Sequence, residues 1–244
     1  MKNKLQLSVG ELLAKHSNLL SLFEEYSIDY CCKGNRKLSE VINEISTPDK
    51  FISKLNSMLE EKLPHNNSFP AETSPPSELC DYIVNKHHSY VKSEIPEIEI
   101  LLRKVIVAHS KNHPKLNDSL LIVNKIFKDI KSHLDKEEKS VFPVIRYLAA
   151  CEKFKEKPRS RNYKTINNYI KILEDDHSNV GNELEKLRKI LNNYTAPSDA
   201  CNSYILLLEK LEHFEKDLHA HVHLENNILF PKSIKLEKYL TTTY

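Results

Sequence analysis

Two stretches of the sequence share one pattern: HLDKEEKSVFP at residues 133–143 and HVHLENNILFP at residues 221–231. In each stretch a His is followed by a Glu four residues later and by Phe-Pro beginning nine residues later. Residues four apart lie about 40° from each other around a helix, so an imidazole and a carboxylate can reach one point. The pattern predicts two helices that each contribute a His and a Glu to a metal site.

The repeat extends upstream of both stretches. His88 lies 45 residues before His133, and His177 lies 44 residues before His221. Each half of the repeat is therefore a helix with one His, followed by a helix with His and Glu. The predicted ligands are His88, His133, Glu137, His177, His221 and Glu225. This set suits two metal ions that are held by imidazoles at the ends and bridged by the two carboxylates.

The alternative interpretation is that these pairs are ordinary contacts on exposed helix faces, as single His-x-x-x-Glu pairs often are. Chance would have to place His, Glu, Phe and Pro at the same spacings twice, so the repeat favours metal binding. Other candidates lack a counterpart in the other half, and we expect them to be solvated or to support the ligands. These are His213, Asp217, His219, His223 and Glu138. Imidazole and carboxylate ligands without thiolate favour iron, and manganese, zinc or copper are also possible.

The composition predicts an all-α protein, because the chain has only three glycines among 244 residues and no alternating strand pattern. The net charge of +2, from 36 basic and 34 acidic residues, argues against a dedicated nucleic-acid binder. The basic run at 153–164 lies between the two halves and is expected to be a solvated loop. No signal peptide or membrane span is recognisable, so we expect a soluble, cytoplasmic protein without a membrane partner.

Three regions follow one another along the chain. Residues 1–62 are predicted to form short helices in a small N-terminal domain, and 63–76 form a Pro-rich linker. Residues 77–244 are predicted to form an up-and-down four-helix bundle, since four long helical patterns follow. They cover about 78–109, 117–149, 163–193 and 198–239. Pro143 and Pro231 fall inside two of these helices, where a kink is expected just beyond the metal.

Two adjacent cysteines occur in the sequence IDYCC at residues 28–32. Adjacent cysteines rarely form a disulfide with each other, because the ring strains the peptide bond between them. Cys31 and Cys32 could serve redox exchange, ligate a metal or form an intersubunit disulfide, or they could be two small buried residues. The single cysteines are expected to be packing residues: Cys80, Cys151 and Cys201.

Together, the IDYCC motif and LENNILFP at residues 224–231 resemble the iron–sulfur cluster repair di-iron proteins of the RIC, or ScdA/YtfE, family. The resemblance covers nearly the whole chain and implies a hemerythrin-like bundle after the small N-terminal domain. It places the ligands of two non-haem iron ions, joined by an oxo or hydroxo bridge, on the six residues that the repeat selects. The chain departs from the family at Lys33, where members usually have Gly.

The resemblance also implies a function in repairing iron–sulfur clusters damaged by nitric oxide or peroxide, by donation of iron. Damaged iron–sulfur proteins would be the partners, and a homodimer is expected. Two alternatives stay open: a di-iron reductase of nitric oxide or peroxide, and a hemerythrin-like sensor of oxygen or iron. Oxygen-carrying hemerythrins have a further His where this chain has Gly181, which favours small-molecule reaction or iron release over oxygen carriage. Whether the chain is an enzyme is left open.

Overall fold

The computed structural model describes residues 6–60, 69–159 and 165–243. In these ranges the regular structure is helical, and the one β contact is an isolated antiparallel bridge between Ser8 and Lys37. The prediction of an all-α fold is confirmed. No helix in the described ranges has both the length and the apolar character needed to cross a membrane.

The chain divides into two compact units. The first contains the described residues up to Tyr82, together with Leu148–Pro158 and the segment that starts at His219. The second contains Ile83–Tyr147 and the described part of Arg159–Leu218. Much of the predicted linker and the end of the basic run lie outside the described residues, and the boundaries at 62 and 76 stay a prediction.

Four short helices form the N-terminal part of the first unit: α1 (Val9–Lys15), α2 (Leu20–Glu25), α3 (Leu38–Ile42) and α4 (Pro48–Glu60). A reciprocal capping box starts α1, where Glu11 N–H donates to Ser8 Oγ at 3.2 Å and Ser8 N–H donates to Glu11 Oε2 at 2.9 Å. Phe23 and Phe51 meet edge to face in the core beneath these helices. Val222, from a much later helix, belongs to the same core.

The remaining helices run through the predicted bundle and are interrupted by π turns, each a five-residue stretch of π-helix. They are α5 (Pro76–Ile83), a π turn (Val84–His88), α6 (Ser89–His109), α7 (Lys115–Lys136), a π turn (Glu137–Val141), α8 (Phe142–Phe154), α9 (Ile166–Ile190), α10 (Asn202–Leu224), a π turn (Glu225–Leu229) and α11 (Phe230–Thr243). These bounds lie within a few residues of the predicted ones.

The second unit is an up-and-down four-helix bundle. Its helices are α6, α7, α9 and the first part of α10, and each contributes buried apolar side chains to one core. Leu102, Phe127, Leu184 and Phe214 represent the four helices in that core. The connection from α6 to α7 spans only residues 110–114, which is typical of antiparallel neighbours.

The predicted kinks at the two prolines correspond to π turns. Phe142 N–H donates to the carbonyl of Glu137, and Phe230 N–H donates to that of Glu225, so each bond spans five residues instead of four. Proline has no N–H with which to continue the α-helical ladder, and the wider turn precedes it in both halves. The helix then continues through Pro143 and Pro231 as α8 and α11.

Candidate metal centre

All six predicted ligands are buried. His88, Glu137 and Glu225 lie in π turns, whereas His133, His177 and His221 lie in α7, α9 and α10. None of the six is more than 3% exposed. Burying so many ionisable side chains is costly unless they pair with one another or bind a cation.

Within the bundle unit, the side chains of four of these residues converge. The Nε2 atoms of His133 and His177 lie 2.9 Å apart. Glu137 Oε1 lies 3.2 Å from His133 Nε2, and Glu137 Oε2 lies 3.3 Å from His88 Nε2. Each carboxylate oxygen of Glu137 therefore faces a different imidazole, as a carboxylate that bridges two ions must do.

His221 and Glu225 form the corresponding pair of the second half. His221 Nε2 lies 2.9 Å from Glu225 Oε1, so the imidazole and the carboxylate can bind the same ion. The four-residue spacing predicted this relationship for both halves of the repeat.

In the bundle unit, the ligand atoms of His133, Glu137 and His177 lie within 4.8 Å of one another, and His88 faces the other oxygen of Glu137. Three imidazoles therefore surround one carboxylate there. In the other unit, His221 and Glu225 form a further imidazole–carboxylate pair. Imidazole and carboxylate donors without thiolate fit transition-metal ions.

Two further carboxylates fix the outward-facing nitrogens of the imidazoles. Glu138 Oε1 lies 2.7 Å from His88 Nδ1 and accepts a hydrogen bond from Lys92 at 2.6 Å. Burial alone would raise the pKa of Glu138, but the hydrogen bonds from Lys92 and His88 lower it below its usual value. A carboxylate at Nδ1 fixes the tautomer and orientation of an imidazole whose Nε2 faces a metal.

Asp176, on α9, has the same role towards the imidazole of His133. Its Oδ2 lies 3.4 Å from His133 Nδ1 and 2.6 Å from Lys136 Nζ. Hydrogen bonds with His133 and Lys136 lower the pKa of Asp176 to about 2, against the opposing effect of burial. The repeat could not select Asp176, because the equivalent residue of the first half is His87.

The histidines outside the predicted set differ from one another. His213 is exposed, as expected. His219 Nδ1 lies 3.0 Å from Glu24 Oε1. His223 is buried, its ring meets that of Tyr30 edge to face, and burial lowers its pKa to about 4. His223 is therefore not solvated, and its Nδ1 lies 3.1 Å from Asn227 Nδ2 in the π turn that contains Glu225.

The adjacent cysteines lie in a turn that is organised by Asp29. Asp29 Oδ1 accepts hydrogen bonds from the N–H of Cys32 at 2.9 Å and of Lys33 at 3.3 Å. The two sulfur atoms are 3.7 Å apart and are not bonded to each other. The contact with Cys32 and burial raise the pKa of Cys31. Asp29, Cys31 and Cys32 also offer ligand atoms within 4.8 Å of one another, so sulfur ligation of a metal stays open.

This cysteine turn packs against the π turn that contains Glu225. Asn226 Nδ2 donates to the carbonyl of Cys31 at 3.1 Å, and Asn227 Nδ2 donates to that of Tyr30 at 3.2 Å. Gly10 and Gly34 leave room for Asn227, since a Cβ at either position would lie within 2.6 Å of its Oδ1. Lys33 does not have a positive φ, so the turn accommodates it without strain.

Comparisons with known proteins agree with this architecture. The Hemerythrin HHE cation binding domain model matches residues 81–233, and the ScdA_N model, a domain of unknown function, matches residues 5–59. A probable iron–sulfur cluster repair protein of Haemophilus influenzae is 29% identical over 93% of this chain and 96% of its own length. The iron–sulfur cluster repair protein YtfE of Musicola paradisiaca is 28% identical over 94% of this chain and 97% of its own. The resemblance inferred from the sequence is confirmed, and the chain belongs to the hemerythrin HHE cation binding domain family.

Proposed function

We propose that this chain is a non-haem di-iron protein that repairs damaged iron–sulfur clusters by donating iron. The observation that carries the proposal is the position of the buried Glu137, whose two carboxylate oxygens face the imidazoles of His88 and His133. Relatives named as iron–sulfur cluster repair proteins, which match more than nine-tenths of the chain, support the repair function.

In this proposal His88 and His221 would hold one iron ion, His133 and His177 would hold the other, and Glu137 and Glu225 would contribute to both. A bound iron pair supplies one-electron redox chemistry and transferable iron. Glu138 and Asp176 keep the Nδ1 protons of His88 and His133 in place, so both imidazoles present Nε2 to the centre.

The protein groups also allow iron to be given up. Imidazoles and carboxylates bind metal only when deprotonated, so protons that reach these Nε2 and carboxylate oxygen atoms compete with iron. The six groups are buried, which limits the access of water and protons while the ligands are in place. A change at the π turn around Glu225 would alter both the carboxylate and the adjacent cysteine turn.

We assign Cys31 and Cys32 to the transfer of iron or to contact with the damaged iron–sulfur protein. Cys32 is partly exposed, and the carbonyl of Cys31 accepts a hydrogen bond from Asn226, which follows Glu225. A cytoplasmic homodimer is part of the proposal. Reduction of nitric oxide or peroxide is the second candidate, because Gly181 on α9 supplies no further imidazole to the centre.

Two measurements test the proposal. Anaerobic loading followed by iron quantitation should give close to two irons per chain, with oxo-bridged absorption in the near ultraviolet; a single zinc that iron cannot replace would contradict it. The second measurement is recovery of a nitric-oxide-damaged iron–sulfur enzyme with added reductant. The Cys31→Ala/Cys32→Ala protein, at equal iron loading, should keep the spectrum and repair poorly. Equal repair, with turnover of nitric oxide, would favour the reductase.

A further inference from the structure

A separate cluster of titratable side chains lies in the bundle unit, at the end of α6 far from His88. His109 is the last residue of α6 and lies 21 residues after His88, or roughly 30 Å along the helix. The cluster consists of His109, His113, Asp199, Cys201 and Tyr204, and none of them belongs to the groups of predicted metal ligands.

Cys201 combines a neighbouring base with a helix N-terminus. Its Sγ lies 3.2 Å from His109 Nε2, and its carbonyl accepts the first hydrogen bonds of α10, from the N–H groups of Tyr204 and Ile205. Both features stabilise a thiolate. The hydrogen bond with His109, together with those from the backbone of Tyr204 and Ser203, lowers the pKa of Cys201 to about 7.

Tyr204 packs against the imidazole of His109, with the ring centres 5.3 Å apart. The neighbouring His113 forms a separate pair with Asp199 at 2.8 Å. A nucleophile, a base within hydrogen-bond distance and a group that orients the base are the parts of an activated nucleophile. Cys201 is also exposed, so the expectation that it is a packing residue is wrong.

We propose that Cys201 is a reactive thiol that forms mixed disulfides with low-molecular-weight disulfides. The Cys201 thiolate attacks one sulfur of the disulfide, a new S–S bond forms, and the old one breaks. Cys201 is oxidised, and the departing half is reduced to a thiolate that takes a proton from water. Of the other cysteines in the described residues, Cys31, Cys80 and Cys151 are buried and Cys32 is partly exposed, which makes Cys201 the preferred target.

The pH profile is a sharper test than the rate at one pH. An ordinary thiol with a pKa of about 8.5 has about sixteenfold less thiolate at pH 7 than one with a pKa of about 7. Its thiolate is, however, about fivefold more nucleophilic, because reactivity rises with pKa. The net difference in rate is therefore only about threefold, whereas the midpoint moves by the full difference in pKa.

The experiment treats the full chain with glutathione disulfide over a range of pH and quantifies the mixed disulfide at each cysteine by peptide mass spectrometry. We expect Cys201 to react fastest, with a midpoint near pH 7. His109→Gln should move the midpoint towards the ordinary thiol value, and the control His213→Gln, at an exposed His of α10 outside the cluster, should leave it in place. An ordinary midpoint in the unsubstituted protein, faster reaction at Cys32, or an unchanged profile in His109→Gln would each overturn the proposal. The profile of the unsubstituted protein decides the matter if His109→Gln does not fold.

Discussion

Asn226 Nδ2 donates a hydrogen bond to the carbonyl of Cys31, and Asn226 directly follows Glu225 in the chain. One residue of a π turn thus connects the cysteine turn to a predicted metal ligand. A displacement of Glu225 on loss of metal would move Asn226 and strain its hydrogen bond to Cys31. A rearrangement of the cysteine turn would displace Glu225 through the same bond.

Asn226→Ala should loosen the cysteine turn without removing a predicted ligand. A net hydrogen bond is worth about 1 kcal/mol, so alkylation of Cys31 in the folded protein should become about fivefold faster. The measurement is the rate of labelling at Cys31, followed by mass spectrometry at constant iron content. The control is Asn179→Ala, on the exposed face of α9. Equal labelling rates in the two variants would show that the hydrogen bond does not restrain Cys31.

Loss of a shared carboxylate should cost more metal than loss of any imidazole. Glu137→Ala or Glu225→Ala weakens the binding of both ions, so the iron content should fall below half. His133→Ala weakens the binding of one ion and should leave about half of the iron. Iron quantitation after anaerobic loading checks this result. His213→Ala, which changes an exposed His on α10, should retain all the iron. If His213→Ala empties the centre as Glu225→Ala does, the ligand set is wrong.

Glu138→Gln should weaken metal binding although Glu138 is not a predicted ligand. The substitution removes the negative charge of the carboxylate that accepts a hydrogen bond from His88 Nδ1. Changes of this kind typically lower metal affinity about 10–100-fold. Competition with a coloured chelator measures the affinity. Asp135→Asn removes a charge nearby, from an exposed pair with Lys139, and should leave the affinity unchanged. Equal affinities in the two variants would show that Glu138 does not support His88 in metal binding.

The prolines can be tested as determinants of the π turns. Pro231→Ala restores an N–H that can bond to a carbonyl four residues earlier, which favours an ordinary α-turn and moves Glu225 from its position. Iron affinity should fall several-fold while the helix content measured by circular dichroism is kept. Pro96 lies inside α6 on an exposed face, and Pro96→Ala should stabilise the protein without changing iron affinity. The idea fails if Pro231→Ala binds iron as tightly as the unsubstituted protein.

The parts of the structure that the sequence predicts are those that repeat locally. The helix bounds and the proximity of His221 to Glu225 follow from helical periodicity and spacing. Asp176 was missed because its counterpart is His87, so a comparison of the two halves gave no signal.

Contacts between segments distant in the chain could not be predicted from spacing. The packing of Tyr30 on His223 joins residues nearly two hundred positions apart, and no spacing within either segment indicates that contact. Gly10 and Gly34 are typical of turns, yet their role is to make room for the side chain of Asn227. The π turns were also missed, because a proline in a helical pattern predicts a kink without saying how the preceding turn rearranges.

The π turns also relate the two halves of the chain. A π turn holds more residues per turn than an α-helix, so the residues on its two sides are out of register with a continuous α-helix. The turns at Glu137 and Glu225 begin at equivalent residues and both end immediately before Phe-Pro. His88 lies in a π turn whereas His177 lies in an unbroken α-helix, so the two halves differ in the helix that carries the single His.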